Sequence, residues 1–129
     1  MTIDLWILLA TCGLAIFISS VPLFRAMRQQ WGFKAMLGAR DAVPPLTGWG
    51  GRVVRAYANL MDNLVLFAVV VLTAHVVGAS NEQTAFGSIF FFACRIAHAV
   101  FYIGGVPVLR TVAYLGGVVG IAWIAAQLF

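Results

Sequence analysis

The chain has 129 residues, of which 63% are hydrophobic and 9% charged, with a net charge of +4. Soluble domains carry roughly 45–50% apolar and 25% charged residues, so a chain this apolar could not hydrate a folded surface and is expected in lipid. The basic balance does not point to nucleic acid, because half of the cations cluster beside one apolar run, with no basic amphipathic or aromatic-interleaved reader element.

Four apolar runs follow in chain order, at about 3–24, 51–78, 84–105 and 106–128. Each has about 20 residues or more, enough to cross a hydrocarbon core of ~30 Å as a helix. The first lacks a basic leader region and carries Asp4, so it reads as a retained anchor rather than a cleaved signal. Pro44, Pro45, Gly48, Gly50 and Gly51 close a long first connection, "GASNEQ" makes a short polar turn, and Gly104, Gly105 and Pro107 make a tighter one. The expected fold is an all-α membrane protein, four transmembrane helices in an up-down bundle forming a single integral membrane domain.

Orientation follows from the eight Lys and Arg. Arg25, Arg28, Lys34 and Arg40 lie in the first connection, Arg52 and Arg55 open the second helix, and Arg110 follows the third connection. The positive-inside rule puts both termini outside and these connections in the cytoplasm, with a bacterial inner membrane as the expected setting. Trp6 and Trp123 would mark the outer interface, and Trp31 and Trp49 the inner one.

Three of the runs carry polar stripes. "RAYANLMD" places Arg55, Asn59 and Asp62 at i, i+4 and i+7. "ACRIAHAVFYI" places Arg95, His98 and Tyr102 at i, i+3 and i+7, and "RTVAY" places Arg110 and Tyr114 at i and i+4 with Thr111 beside them. On helices of ~3.6 residues per turn each set shares one face, and all three fall in the cytoplasmic half of the bundle. Ionisable groups within spans cost about 2.5–3.5 kcal/mol each on insertion scales, so their convergence predicts a polar pocket near the cytoplasmic face. The competing account is a structural network in which Asp62 neutralises Arg55 and Arg95.

Other features read as packing. Cys12 and Cys94 lie within predicted spans without CxxC or Cys/His metal spacing, so no metal is expected. His75 stands apart from the stripes and reads as a core histidine, and Gly116 and Gly120 in "GGVVG" have the GxxxG spacing of close helix packing. The excess of Arg over carboxylates suits an anionic ligand, since guanidinium forks hold carboxylates bidentately. A small peptide with two carboxylates and an amine would use these groups, with Asp62 available for the amine.

"RAYANLMD", "CRIAHAVFY" and "RTVAY" together resemble the MAPEG family, the membrane-associated proteins of eicosanoid and glutathione metabolism, most closely the pattern of microsomal glutathione transferases and the microsomal prostaglandin E synthase. The resemblance implies a homotrimer of four-helix subunits with glutathione as cofactor, bound between subunits near the cytoplasmic face. It places the family's glutathione-contacting or pocket-ordering residues on Arg55, Asn59, Asp62, His98, Tyr102, Arg110 and Tyr114, with Arg95 in the same stripe. The chain has Asp62 where the family commonly has Glu, Ala58 where some relatives have a basic residue, and Thr111 where a Ser stands, so no eicosanoid activity is carried over.

The expected chemistry is activation of the glutathione thiol, whose pKa near ~8.5 leaves little thiolate at neutral pH. Arg110 is the expected stabiliser of the thiolate, with Tyr114 or Thr111 donating a hydrogen bond to sulfur. A lipophilic second substrate would arrive from membrane lipid, for conjugation or hydroperoxide reduction. Two other classes stand beside this one: a non-catalytic scaffold or lipid-binding member, and a small proton-coupled transporter, for which the first helix offers only Asp4 at its edge.

Overall fold

A computed structural model describes the whole chain, residues 1–129, as helices joined by short connections. Four helical segments are long and apolar enough to cross a membrane: Ile3–Trp31, Gly48–Val76, Glu82–Gly104 and Pro107–Leu128. They alternate in direction, as an up-down bundle requires.

The first segment is longer than the apolar run suggests. Helix α1 (Ile3–Ile18) passes through a π-turn at Ser19–Leu23 into α2 (Phe24–Trp31). Pro22 lies inside the π-turn, where the extra residue absorbs the backbone hydrogen bond that proline cannot donate. The helix therefore continues past Phe24 and stops at Gly32, whose φ of 77° only glycine adopts cheaply.

After the short α3 (Phe33–Leu37), the chain returns along α2 and is strapped to it. Gln30 Nε2 donates to Pro45 O at 2.8 Å, Trp31 Nε1 donates to Pro44 O at 2.9 Å, and the Thr47 N–H donates to Gln30 Oε1 at 2.9 Å. Trp49 Nε1 donates to Gln29 Oε1 at 3.2 Å. The Pro44 and Pro45 carbonyls take no backbone donor and are satisfied by these side chains of α2.

Helix α4 (Gly48–Val76) buries Val53, Ala56, Leu60, Leu64, Phe67, Val71 and Ala74, one face at helical spacing. Its opposite face exposes Arg55, Ala58, Asp62, Val65, Val69, Leu72 and Val76, at alternating steps of three and four. Helix α5 (Glu82–Gly104) opens on a capping box: Asn81 Oδ1 accepts from Gln83 N at 2.7 Å and Thr84 N at 3.0 Å, while Thr84 Oγ1 accepts from Asn81 N at 2.9 Å. Gly105 ends it in the left-handed conformation, and Pro107 begins α6 (Pro107–Ala125), which finishes in a 3-10 turn at Ala126–Leu128.

Lipid is as apolar as leucine, so close packing and hydrogen bonds rather than water exclusion hold such helices together. Helices α5 and α6 approach closest, and glycine makes it possible. A Cβ on Gly120 would lie 3.1 Å from Gly87 O and from Phe91 N. The stacked rings of Phe67 and Phe91, with centroids 4.1 Å apart, fill the centre between α4 and α5. At the far end from the basic connections, Ser88 Oγ donates to Asp4 Oδ1 at 2.9 Å, and Asp4 is 2% exposed. That bond ties α1 to α5. His75 is exposed near the end of α4, so it is not the core histidine expected, because the buried register of this turn runs through Val71 and Ala74.

Candidate functional site: a cationic cavity between three helices

The three polar stripes meet only in part. Asn59 of α4, His98 and Tyr102 of α5, and Arg110, Thr111 and Tyr114 of α6 line one cavity of about 240 Å³. No acidic side chain lines it. Tyr102 falls in the last turn of α5 and Arg110 in the first turn of α6, so the cavity opens near the end of the bundle that holds the basic connections.

Arg95 does not line the cavity itself but lies beneath it as a floor, bonded to two of the lining residues, Asn59 and Tyr114. It is 1% exposed, yet no carboxylate neutralises it. Its Nη1 donates to Asn59 Oδ1 at 3.2 Å, and its Nη2 donates to Ala113 O at 3.3 Å and Tyr114 O at 3.1 Å. The guanidinium carbon also stands 5.5 Å from the Phe91 ring centroid and 5.6 Å from that of Tyr114. Two of the accepting carbonyls belong to α6 and the amide to α4, so one side chain of α5 ties three helices. Nε is buried without a partner. The competing account, an Arg55/Asp62/Arg95 network, is thus not the arrangement formed: Arg95 donates to two carbonyls and an amide, and Asp62 is exposed.

This wiring sets the chemistry of the floor. Arginine can only donate, so the Asn59 oxygen is turned toward Arg95 and the amide nitrogen away from it. Asn63 Nδ2 donates to the Asn59 backbone carbonyl at 2.8 Å, and the Asn59 side-chain nitrogen has no partner within the chain. The Asn59 amide is left as a donor on the cavity side.

The walls are aromatic. The His98 ring meets Tyr102 edge-on with centroids 5.3 Å apart and lies 6.3 Å from Tyr114. Arg110 lies over the Tyr102 ring, its guanidinium carbon 4.6 Å from the centroid. A cation held against a ring face keeps its N–H edges free for an anion. Thr111 Oγ1 donates to Pro107 O at 3.0 Å within its own helix, so of the two expected sulfur donors Tyr114 is the one with an uncommitted hydroxyl.

Two sequence candidates stand elsewhere. Arg55 is exposed and borders a separate cavity of about 430 Å³ with Met27, Trp31, Leu46 and Val54, and Asp62 lies on the exposed face of α4. One residue that shapes the floor escaped the motifs. A Cβ on Gly117 would stand 2.8 Å from Arg95 Cζ and Nε, so only glycine leaves room for the guanidinium. "GGVVG" carried the signal, but the GxxxG spacing drew attention to Gly116 and Gly120 instead.

Four helices long and apolar enough to cross a membrane, with a donor-rich, acid-free cavity near one end of the bundle, define the class: an all-helical integral membrane protein. The chain belongs to the MAPEG family, whose model matches residues 5–129, essentially its whole length, and the resemblance carried by the three motifs is borne out. It is a glutathione-related membrane protein in that broad sense. No curated protein and no solved structure matches it.

Proposed function

We propose that the chain is a glutathione-dependent membrane enzyme that stabilises the glutathione thiolate for conjugation to lipophilic electrophiles or for reduction of hydroperoxides. The observation that carries this reading is the cavity itself, where Arg110, the Asn59 amide, Tyr102 and Tyr114 offer donors and no carboxylate competes. Such a donor set fits a ligand with carboxylates and an ionisable thiol. The ligand supplies the nucleophilic sulfur.

The chain's residues divide the work. Arg110 provides the positive charge that favours an anionic sulfur, the Tyr114 hydroxyl donates to it, and the His98, Tyr102 and Tyr114 rings wall the site. Asn59 and Tyr102 hold the peptide, with Arg95 as a positioning residue that fixes the Asn59 amide. Low dielectric at this depth makes each interaction stronger than in water.

Assembly as a homotrimer is part of the proposal. Arg55 and Asp62 on a lipid-facing surface would each cost a few kcal/mol, and the α4 stripe that contains them has the three-four spacing with which helices pack against one another. Neighbouring copies that cover this stripe would bring Arg55 and Asp62 to the rim of the site, Asp62 then serving the ligand's amine. In this reading both termini lie outside and the cavity near the cytoplasmic face, an orientation supported by the positive-inside rule and by the basic connections lying at the same end as the cavity.

A second reading, a non-catalytic scaffold, is favoured by the tie that Arg95 makes across three helices. Calorimetric titration of glutathione into detergent-purified protein separates them. Saturable binding that is lost in Arg110→Ala and Asn59→Ala supports the enzyme. A folded protein that binds nothing at millimolar glutathione supports the scaffold.

A further inference from the structure

The largest cavity lies on another side of α5 from the polar one. It is a groove of about 570 Å³ between the first helical segment and α5, walled by Leu14, Phe17, Pro22, Ile96 and Val100, with Trp49 of α4 at one end. A volume of this size is typical of ligand sites, and the lining is almost wholly apolar. One charged residue borders it, Arg25.

Three independent features give the groove an occupant. The first is depth. Arg25 lies 22 residues beyond Ile3, a rise of ~33 Å along a helix, which brings its guanidinium to the headgroup layer of a bilayer whose core is ~30 Å thick. The wall residues from Leu14 to Pro22 lie below it, among the acyl chains.

The second is charge. Arg25 is exposed and makes no hydrogen bond or ion pair, whereas Arg52 and Arg95 both donate to carbonyls. A free guanidinium above an apolar slot matches an anionic head on an apolar tail, and its fork suits phosphate oxygens. The third is the π-turn at Ser19–Leu23, which contributes Val21 and Pro22 to the wall just below Arg25. Such turns recur at functional sites because they widen a helix locally.

The groove also opens sideways. Phe17 is 56% and Val100 61% exposed, so a molecule can enter from the bilayer without leaving it. A two-chain lipid could seat one chain and leave the other in the membrane. We propose that this groove is a specific site for one acyl chain of an anionic phospholipid, with the headgroup phosphate held by Arg25. The site is separate from the glutathione reading, and its test does not depend on turnover.

Native mass spectrometry of the detergent-purified chain, after equilibration with an equimolar mixture of phosphatidylglycerol and phosphatidylcholine, reads the site directly. The expected result is retention of phosphatidylglycerol after washing that strips loosely associated lipid. Retention should fall roughly fivefold in Arg25→Gln, the effect of one cation near an anionic headgroup, and stay unchanged in Arg28→Gln. Val100→Trp, at an exposed wall position that tolerates a large apolar residue, should abolish it by filling the slot. Equal loss in Arg25→Gln and Arg28→Gln, equal retention of the two lipids, unaltered retention in Val100→Trp, or selective retention of added oleate instead of phospholipid would each overturn the proposal.

Discussion

Replacing Gly117 with alanine tests whether the floor of the cavity is built as described. The new methyl would stand 2.8 Å from Arg95 Cζ and Nε, against an ordinary carbon contact of ~3.5–4.0 Å, so the guanidinium must retreat by about 1 Å. The steric part is cheap, because the end of a long side chain can move. The hydrogen bonds are not: from 3.1 and 3.3 Å, a retreat of this size breaks the Nη2 bonds to Tyr114 O and Ala113 O.

Bonds from a charged donor contribute about 1.5–3 kcal/mol each in water-soluble proteins and less in membrane bundles, so the combined loss is about 2–4 kcal/mol. At roughly 3 °C per kcal/mol for a chain of this length, the unfolding midpoint should drop by roughly 6–12 °C. Tryptophan-detected thermal unfolding in detergent measures it. The same displacement frees the Asn59 amide to turn, so glutathione affinity should fall by about tenfold, the equivalent of one hydrogen bond. A Gly117→Ala protein with an unchanged midpoint and unchanged affinity would refute the tie between Arg95, α6 and Asn59.

Other substitutions probe the same packing from different sides. A Cβ on Gly116 would meet Cys94 Sγ at 2.7 Å, so Gly116→Ala should destabilise by about 1–3 kcal/mol, and Cys94→Ala in the same chain should restore most of it; additive losses in thermal unfolding would contradict that contact. Gly13 has open space around it in α1, so Gly13→Ala should raise stability by up to about 1 kcal/mol, and a loss would mean that a neighbour occupies that face. Asp4→Leu leaves the buried Ser88 hydroxyl unpaired and should cost about 1–3 kcal/mol, whereas Asp4→Asn keeps an acceptor and should cost less; equal unfolding midpoints for the two would dismiss the hydrogen bond as the tether.

The bundle was legible because lipid imposes a simple rule: every apolar run of sufficient length becomes a helix, and glycine, proline and polar residues mark its ends. The rule said less about ends where side chains outside the run decide. Gln29, Gln30 and Trp31 extend the first helix by bonding the returning chain, a long-range effect that hydropathy does not register. The capping box at Asn81 and Thr84 likewise moves the start of α5 to Glu82. Among the site residues, spacing placed Asn59, His98, Tyr102, Arg110, Thr111 and Tyr114 on faces that do meet. It could not distinguish a stripe turned into the bundle from one turned out, which is why Arg55 and Asp62 lie outside the cavity in the single chain. Arg95 was placed in the pocket, with pairing to Asp62 as the alternative, and its partners are the Asn59 amide oxygen and two backbone carbonyls of α6, which spacing alone does not reveal.

Arg52 belongs to the cluster of positive charges by which a chain of this kind takes its direction in the membrane, and it is also a clasp. Its Nε donates to Ile103 O at 2.9 Å, joining the start of α4 to the end of α5. The side chain also lies against Gly105, where a Cβ would come within 3.6 Å of its Nε and Cζ. Insertion counts charges, but the folded bundle requires this one at this position. Shifting the arginine a few residues along the helix would leave the orienting charge intact and undo the clasp, so the chain can trade its basic residues among positions only where the folded state has not already put them to use.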